Sequence, residues 1–378
     1  MSLKCGIVGL PNVGKSTLFN ALTNAKALAA NYPFATKDPN VGVITVPDNR
    51  LQALSDIVSP QKIIPTTVDI VDIAGLIKGA SQGEGLGNQF LANIREVDAI
   101  IHVVRCFDDD NIVHVDGNVD PVRDKDIIDT ELLLKDIDGL DKRLEKLQKA
   151  AKSGAKDDKA RYEFAKELKE FLETGKPARA YDVPELHTDL FHEFYLLTAK
   201  PILYVCNVDE NSAKAGNDYA AKLMDHVKDE NAEVILISAA IEAEIIQLDS
   251  DEEKLMFLEE MDLTEPGVNR LIHSSYKLLN LITYFTAGEK EVRAWTVLRG
   301  STAPQAAGVI HTDFEKGFIR AEVIKYADYI EHGSEAKVKE AGKLGVEGKD
   351  YIVVDGDCLL YTSPSPRDLS TSRMPSSA

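Results

Sequence analysis

The feature that most constrains this chain is a glycine-rich loop near its amino terminus, Gly9-Leu10-Pro11-Asn12-Val13-Gly14-Lys15-Ser16-Thr17. It follows an apolar run, Cys5-Gly6-Ile7-Val8, that predicts a buried strand, and it precedes Leu18–Leu22, whose spacing predicts a helix. Strand, loop and helix in this order are the context in which the phosphate-binding loop pattern is specific. The loop N–H groups would surround a β-phosphate, Lys15 would reach the β- and γ-oxygens, and the Ser16 hydroxyl would ligate Mg²⁺. The sequence therefore predicts a nucleoside triphosphate site.

A second motif of the same site, Asp72-Ile73-Ala74-Gly75, follows the strand-like run Thr67–Val71. Asp72 is expected to hold Mg²⁺ through a water molecule, and the Gly75 N–H is expected to meet the γ-phosphate. Thr36, in a segment with two prolines that predicts a loop, is the expected second hydroxyl ligand of the metal. The D-x-x-G pattern is common by itself, but its position after a phosphate loop makes it specific.

Continuous apolar runs at residues 99–104, 201–206 and 233–237 predict central strands of a parallel sheet. Strands that alternate with helices predict an α/β fold, a doubly wound P-loop NTPase domain with its ligand at the carboxyl ends of the strands. All the motifs fall at such ends.

Base selection depends on Asn207-Val208-Asp209-Glu210, which stands where guanine-specific proteins of this class carry N-K-x-D. Glu210 is one methylene longer than the aspartate that accepts two guanine hydrogen bonds, and Val208 replaces the lysine that lies along the base. Loss of such a buried hydrogen-bonded set costs about 1–3 kcal/mol, so we expect a weak guanine preference. The adenine amino group has Asn207 or the backbone as acceptors. Ser238 and Ala239 are expected to contact the base through their backbone.

Together these motifs resemble the YchF, or Obg-like ATPase, family from about residue 1 to about residue 357. The resemblance implies an ATP-preferring, Mg²⁺-dependent hydrolase in the cytoplasm that binds the ribosome, as the large subunit or the whole particle, and its ribosomal RNA. It also implies three domains: a G domain (1–126 and 200–280), an inserted helical arm (127–199) and a β-grasp TGS domain (281–361). The expected nucleotide-binding residues are Asn12, Val13, Gly14, Lys15, Ser16, Thr17, Gly75, Asn207, Val208, Glu210, Ser238 and Ala239.

Catalysis departs from the usual pattern because Leu76 follows the D-x-x-G, where many such switches carry a glutamine that orients the attacking water. Turnover should therefore be slow unless another group orients the water. Lys15 is an expected catalytic residue, and His114 is a candidate that is equally well interpreted as a loop histidine. Asn12 points to a monovalent cation, K⁺, because related GTPases use an asparagine there to hold one.

The arm is predicted from apolar residues at helical spacing on both sides of a polar turn near Gly154. A group of basic residues marks its tip: Lys142, Arg143, Lys146, Lys149, Lys152, Lys156, Lys159 and Arg161. On a chain with a net charge of −19, this group suits a phosphate-rich partner, although solvated helix faces often look alike. The charge argues against wholesale nucleic-acid coating, and we expect no DNA and no membrane partner.

Four cysteines, far apart in the sequence, predict reduced core residues rather than a disulfide framework. Residues 362–378 are rich in serine and proline, which predicts a disordered or aberrant tail and leaves the closing strand of the last domain in doubt. Two alternatives to the ATPase remain open. They are a GTPase switch of ordinary guanine specificity and a non-catalytic ribosome- or RNA-binding scaffold.

Overall fold

The computed structural model describes residues 3–24, 40–73, 86–114, 117–152, 156–230 and 232–362. The strands are β1 (Lys4–Val8), β2 (Val41–Thr45), β3 (Ile63–Ile64), β4 (Thr67–Asp72), β5 (Ala99–Cys106), β6 (Ile202–Val208), β7 (Glu233–Ile237), β8 (Leu281–Ala287), β9 (Val292–Leu298), β10 (Arg320–Lys325), β11 (Gly345–Glu347) and β12 (Asp357–Thr362). The helices are α1 (Lys15–Asn24), α2 (Asn49–Val58), α3 (Leu86–Glu96), α4 (Pro121–Ala151), α5 (Lys156–Glu173), α6 (Thr188–Glu193), α7 (Asp218–Val227), α8 (Ala239–Ile245), α9 (Asp251–Glu260), α10 (Gly267–Leu278), α11 (Ala303–Ile310), α12 (Thr312–Lys316), α13 (Tyr326–His332) and α14 (Glu335–Glu340).

The described residues form two compact units. One contains the chain up to Ile44 together with Val68–Leu279, and the other contains Thr45–Thr67 together with the chain from Asn280. The division differs from the predicted domains in two respects: residues 45–67, assigned to the first domain from sequence, belong to the second unit, and the predicted arm, residues 127–199, is not separated from the first unit.

The first unit is built on a six-stranded sheet with the order β2-β4-β1-β5-β6-β7. The pairs β1–β4, β1–β5, β5–β6 and β6–β7 are parallel. Every residue of β5 and β6 is buried, as expected for continuous apolar strands in the centre of a covered parallel sheet. The predicted α/β fold is confirmed, and β1 delivers the phosphate loop to the middle of the carboxyl edge.

The helices α4 and α5 interrupt the alternation of strands and helices. Asp120 caps α4 by accepting a hydrogen bond from the Arg123 N–H, and Pro121 occupies the first helical turn. The helix therefore begins before residue 127, where the predicted arm starts. Leu140 of α4 packs in one buried cluster with Phe164 and Leu168 of α5, so the two helices stabilise each other through their apolar faces.

The second unit is built on another six-stranded sheet, with the order β11-β10-β12-β8-β9-β3. Residues 45–67 belong to this unit for two reasons. Leu51 and Leu54 of α2 are buried in a cluster with Phe285 of β8, and β3 pairs in parallel with β9. The segment that connects β2 and β4 of the first sheet therefore supplies a strand, β3, to the second sheet. This long-range pairing has no local sequence signal.

The closing strand, placed in doubt from sequence, is present as β12. It pairs with β10 on one side and with β8 on the other, and its Cys358 and Leu359 are buried. The apolar run Cys358-Leu359-Leu360 is sufficient for an interior strand. The remainder of the serine- and proline-rich tail, residues 363–378, lies outside the described residues.

Candidate nucleotide site

The phosphate loop has a backbone that only particular residues can adopt. Gly14 has a φ of 91° and Asn12 a φ of 63°, the left-handed region that favours glycine and tolerates asparagine. A Cβ on Gly14 would lie 2.2 Å from the Asn207 Nδ2 atom, and one on Gly9 would lie 2.7 Å from the Val103 carbonyl oxygen. Both glycines are therefore required by close approach, and the loop leads directly into the amino terminus of α1, where free N–H groups favour an anion.

Lys15 and Asp72 meet at this edge of the sheet. Ile7, at the end of β1, is in register with Asp72 of β4, and the Lys15 ammonium forms an ion pair with the Asp72 carboxylate. Lys15 is buried whereas Ser16 is exposed. The two motifs that were read separately from the sequence are thus brought together by one pair of parallel strands.

The donor set fits Mg²⁺, because this hard cation prefers hydroxyl and carboxylate oxygens. Ser16 supplies a hydroxyl at the first turn of α1, and Asp72 supplies a carboxylate at the end of β4. The other two predicted residues of this site, Thr36 and Gly75, lie outside the described residues, as does Leu76.

Asn207 joins the phosphate loop to the loop after β7. It is 4% exposed, its Nδ2 atom donates to the Val13 carbonyl oxygen at 2.8 Å, and its Oδ1 atom accepts from the Ala239 N–H at 2.9 Å. Both ends of the amide are therefore used to hold backbone. Ser238 is buried, and its hydroxyl has no hydrogen-bond partner among the described residues.

The three residues after Asn207 differ sharply in environment. Val208 is buried in β6, and Glu210 is exposed at the start of a short 3₁₀ turn, Glu210–Ser212. Asp209 caps this turn by accepting from the Ser212 N–H and hydroxyl. Burial alone would raise the pKa of Asp209, but the hydrogen bonds from Ser212 and Asn217 hold it below its ordinary value. The Asp209 carboxylate is thus committed to the turn.

His114 is buried, and its Nε2 atom lies 2.7 Å from a carboxylate oxygen of Asp124 in α4. Its neighbour Val113 accepts a hydrogen bond from the Asn12 Nδ2 atom at 3.1 Å. The loop that carries His114 therefore contacts the phosphate loop, while the imidazole itself is held by α4.

Sequence reasoning missed Arg105, which shapes the loop before His114. This side chain is 2% exposed and donates to the carbonyl oxygens of Phe107 at 3.0 Å and Ile112 at 2.9 Å. A buried guanidinium is tolerated only when its donors are satisfied, so Arg105 fixes the path of residues 107–112. The available signal was an arginine near the end of β5, whose other residues, His102 apart, are apolar.

A phosphate loop, an aspartate at the end of the neighbouring strand β4 and an asparagine near the end of β6, all at one edge of a parallel sheet, define a P-loop nucleotide-binding protein with the motif order of GTPases. The comparisons with known proteins agree with this class. Residues 4–148 match a family described as "50S ribosome-binding GTPase", and residues 281–363 match the carboxyl-terminal YchF-GTPase family, described as "Protein of unknown function (DUF933)".

Curated relatives extend the similarity over nearly the whole chain. The chain is 55% identical to the "Ribosome-binding ATPase YchF" of Bacillus subtilis over 96% of its own length and 99% of that protein. It is 54% identical to the protein of the same name from Escherichia coli O157:H7, with the same coverage. A solved structure, the YchF GTPase of Schizosaccharomyces pombe, superposes with a TM-score of 0.87 at 41% identity and covers 96% of this chain and 98% of that one. The chain belongs to the YchF family.

No helix within the described ranges combines the length and apolar character needed to cross a membrane.

Proposed function

We propose that this chain is a Mg²⁺-dependent ATPase that binds the ribosome in the cytoplasm and prefers ATP to GTP. The curated relatives are named ribosome-binding ATPases, whereas the solved relative is described as a GTPase. These names disagree on the nucleotide, so the choice between ATP and GTP is argued from the residues of the site. The observation that carries the proposal is an exposed Glu210 beside an Asp209 whose carboxylate is held by Ser212.

Guanine recognition needs a carboxylate that accepts from the N1 and N2 groups together. Asp209 is committed to Ser212, and the exposed Glu210 carboxylate would have to give up water to bind a base. Val208 offers only apolar contact where a lysine would lie along the ring. Since a buried hydrogen-bonded pair of this kind is worth about 1–3 kcal/mol, guanine gains little here, and adenine is accepted through apolar contact and backbone groups near Ala239.

The residues that surround the triphosphate would bind it and stabilise its negative charge during hydrolysis. Lys15 would exchange its ion pair with Asp72 for the β- and γ-phosphate oxygens. The residues proposed to hold Mg²⁺ are Ser16, Thr36 and, through water, Asp72, and the bound ion would neutralise charge on the phosphates. Gly75 would sense the γ-phosphate through its N–H.

The group that orients the attacking water remains a proposal. With Leu76 after the D-x-x-G, His114 is one candidate, and it would have to leave Asp124 to reach a water molecule. K⁺ held by Asn12 is another. The Asn12 side-chain oxygen, the atom a cation needs, has no hydrogen-bond partner among the described residues, while its Nδ2 atom is tied to Val113.

Ribosome binding is proposed to use the helical arm, residues 127–199, and the carboxyl-terminal unit, which we assign to the TGS class from family resemblance. Several lysines at the arm tip are exposed and suit ribosomal RNA, among them Lys146, Lys149 and Lys152. The association is expected with the large subunit or the whole ribosome.

The deciding experiment measures the affinities of purified protein for ATP and GTP, with and without ribosomes, together with phosphate release. We expect tighter ATP binding and release above that of Lys15→Ala. A clear GTP preference would favour the ordinary GTPase, and release equal to the Lys15→Ala control would favour a non-catalytic scaffold. His114→Ala and a comparison of rates in sodium and potassium separate the two candidates for water orientation.

A further inference from the structure

A basic pocket at the root of the arm is not used by the nucleotide site. It has a volume of about 440 Å³ and lies between the end of α3, the middle of α4 and the segment that leads into β6. Four cationic side chains line it: Arg95, Lys135, Arg143 and Lys200. Such a concentration is unexpected on a chain with a net charge of −19, and it gives the pocket the electrostatics of an anion site.

Among the described residues, one of these four cations has a carboxylate partner, Lys135 with Asp138 at 3.4 Å, and the carboxylate that lines the pocket, Asp136, forms no ion pair with any of the four. Asp136 is 3% exposed and accepts from the Leu197 N–H at 2.8 Å and from the Thr198 N–H and hydroxyl at 2.8 and 2.7 Å. Its oxygens therefore face the backbone that forms the pocket wall. Arg143, assigned to the arm tip from sequence, lies in this pocket instead: it donates to the Glu193 carbonyl oxygen at 2.6 Å and stacks over the Phe194 ring, 5.4 Å from its centroid, which fixes the guanidinium as part of the wall.

Tyr195 lies at the rim of this pocket. Its backbone conformation and its exposed side chain are both unusual for an aromatic residue. Its φ is 48°, a left-handed conformation that is unfavourable for an aromatic residue and that asparagine or glycine would adopt at lower cost. The side chain is 79% exposed, so burial does not repay this strain. The Tyr195 N–H donates to the His192 carbonyl oxygen at 3.1 Å just after α6 ends, a position where glycine or asparagine usually adopts the left-handed conformation, so an aromatic side chain there points to a functional role.

We infer that this pocket binds single-stranded RNA, with backbone phosphates against Arg95 and Lys135 and one unstacked base on the Tyr195 ring. A flat exposed aromatic beside cations is the arrangement that single-stranded nucleic acids use, because every base has a face that stacks. The inference rests on the proposed ribosome association and assigns part of that contact to the root of the arm rather than to its tip.

The test measures binding of a labelled single-stranded RNA of about 15 nucleotides, the span of a typical single-strand site, to the full chain over a range of KCl concentrations. Tyr195→Asn removes the ring and suits the left-handed backbone, so the fold should be kept. We expect it to weaken RNA binding about tenfold, within the range of one lost base stack. Tyr195→Phe keeps the ring and should bind like the unaltered chain.

Removing a charge provides a second measurement, the salt dependence of RNA binding. A residue with a purely structural role would not change this dependence. Arg95→Ala and Lys135→Ala should each reduce the slope of log affinity against log salt by about 0.7, the value for one phosphate contact on a single strand. Lys228→Ala is the matched control, because Lys228 lies in the same unit, outside the pocket, and pairs with Asp225. It should leave the slope unchanged.

Co-sedimentation with ribosomes separates this inference from the proposed function. The inference is overturned if the unaltered chain binds no RNA, if Tyr195→Asn binds RNA like the unaltered chain, or if Lys228→Ala changes the slope as much as Arg95→Ala. It is also overturned, with the proposed function intact, if the chain sediments with ribosomes and the pocket variants sediment equally well. Failure of the unaltered chain to sediment at all would remove the ribosome association itself.

Discussion

Replacing Asn207 with alanine tests whether this residue holds the phosphate loop or reads the base. The substitution leaves the Val13 carbonyl oxygen and the Ala239 N–H without their side-chain partner in a region where Asn207 is only 4% exposed. Each buried group left unpaired costs about 1–3 kcal/mol. The loss at Val13 acts on the loop that surrounds the phosphates, so roughly 5- to 150-fold weaker nucleotide binding is expected from that bond alone.

Because ATP and GTP carry the same triphosphate, both affinities should fall by the same factor. The assay is a fluorescence titration of labelled ATP and GTP into the unaltered protein, Asn207→Ala and Asn207→Asp. The aspartate variant keeps an acceptor for the Ala239 N–H but sets a carboxylate oxygen against the Val13 carbonyl oxygen, so it should also bind both nucleotides weakly.

Thr198→Val is the control for general destabilisation. The Thr198 hydroxyl, in a side chain that is 2% exposed, donates to Asp136 at 2.7 Å and accepts from the Ala178 N–H at 3.0 Å, two buried bonds comparable with those of Asn207 but without contact to the phosphate loop or to residues 207–212. It should lower the unfolding temperature and leave nucleotide affinity nearly unchanged. A loss of affinity in Asn207→Ala confined to one purine would refute the reasoning and make Asn207 a base-reading residue.

Three further predictions concern base choice, pH and the closing strand. Glu210→Asp restores the shorter carboxylate, so the ratio of GTP to ATP affinity should rise in the same titrations, and an unchanged ratio would contradict the proposed ATP preference. Burial lowers the pKa of His102 to about 4, against about 6.5 when unfolded. Between these values only the unfolded chain binds the proton, so the free energy of unfolding should fall with decreasing pH by about 1.4 kcal/mol per pH unit. In urea titrations His102→Gln should remove this contribution, and an unaltered slope would show that His102 is not its source. Ending the chain after Gly356 removes β12 from between β10 and β8 and should unfold the second unit, whereas ending it after Thr362 should not, as a comparison of circular dichroism melts would detect.

Local sequence patterns predicted many of the strands and helices of the first unit. The run Cys5–Val8, the phosphate loop and the helix after it were predicted from periodicity and glycine placement, and the structure has them as β1, Gly9–Gly14 and α1. The same holds for β5, β6 and β7, whose continuous apolar character reflects their burial in a parallel sheet. These elements can be predicted from sequence because the residues that determine each of them lie within a few positions of it.

Pairing between distant segments could not be predicted from the sequence in the same way. Residues 45–67 read as part of the first domain, yet Leu51 and Leu54 pack against β8 and β9 partners far along the chain. The interior position of β12 depends on both its neighbours, β10 and β8. Neither result could follow from local composition, because a strand's place in a sheet is set by which distant edge it meets.

The amino-acid sequence by itself determined the chemistry of the phosphate site, since Gly14, Lys15, Ser16 and Asp72 belong to motifs whose order along the chain already specifies a triphosphate. Only the tertiary structure decided the role of Asn207, whose two hydrogen bonds join segments 194 and 32 residues away. It also decided that His114 faces Asp124. A motif fixes which atoms are available, but the packing of distant segments fixes which of those atoms are already engaged.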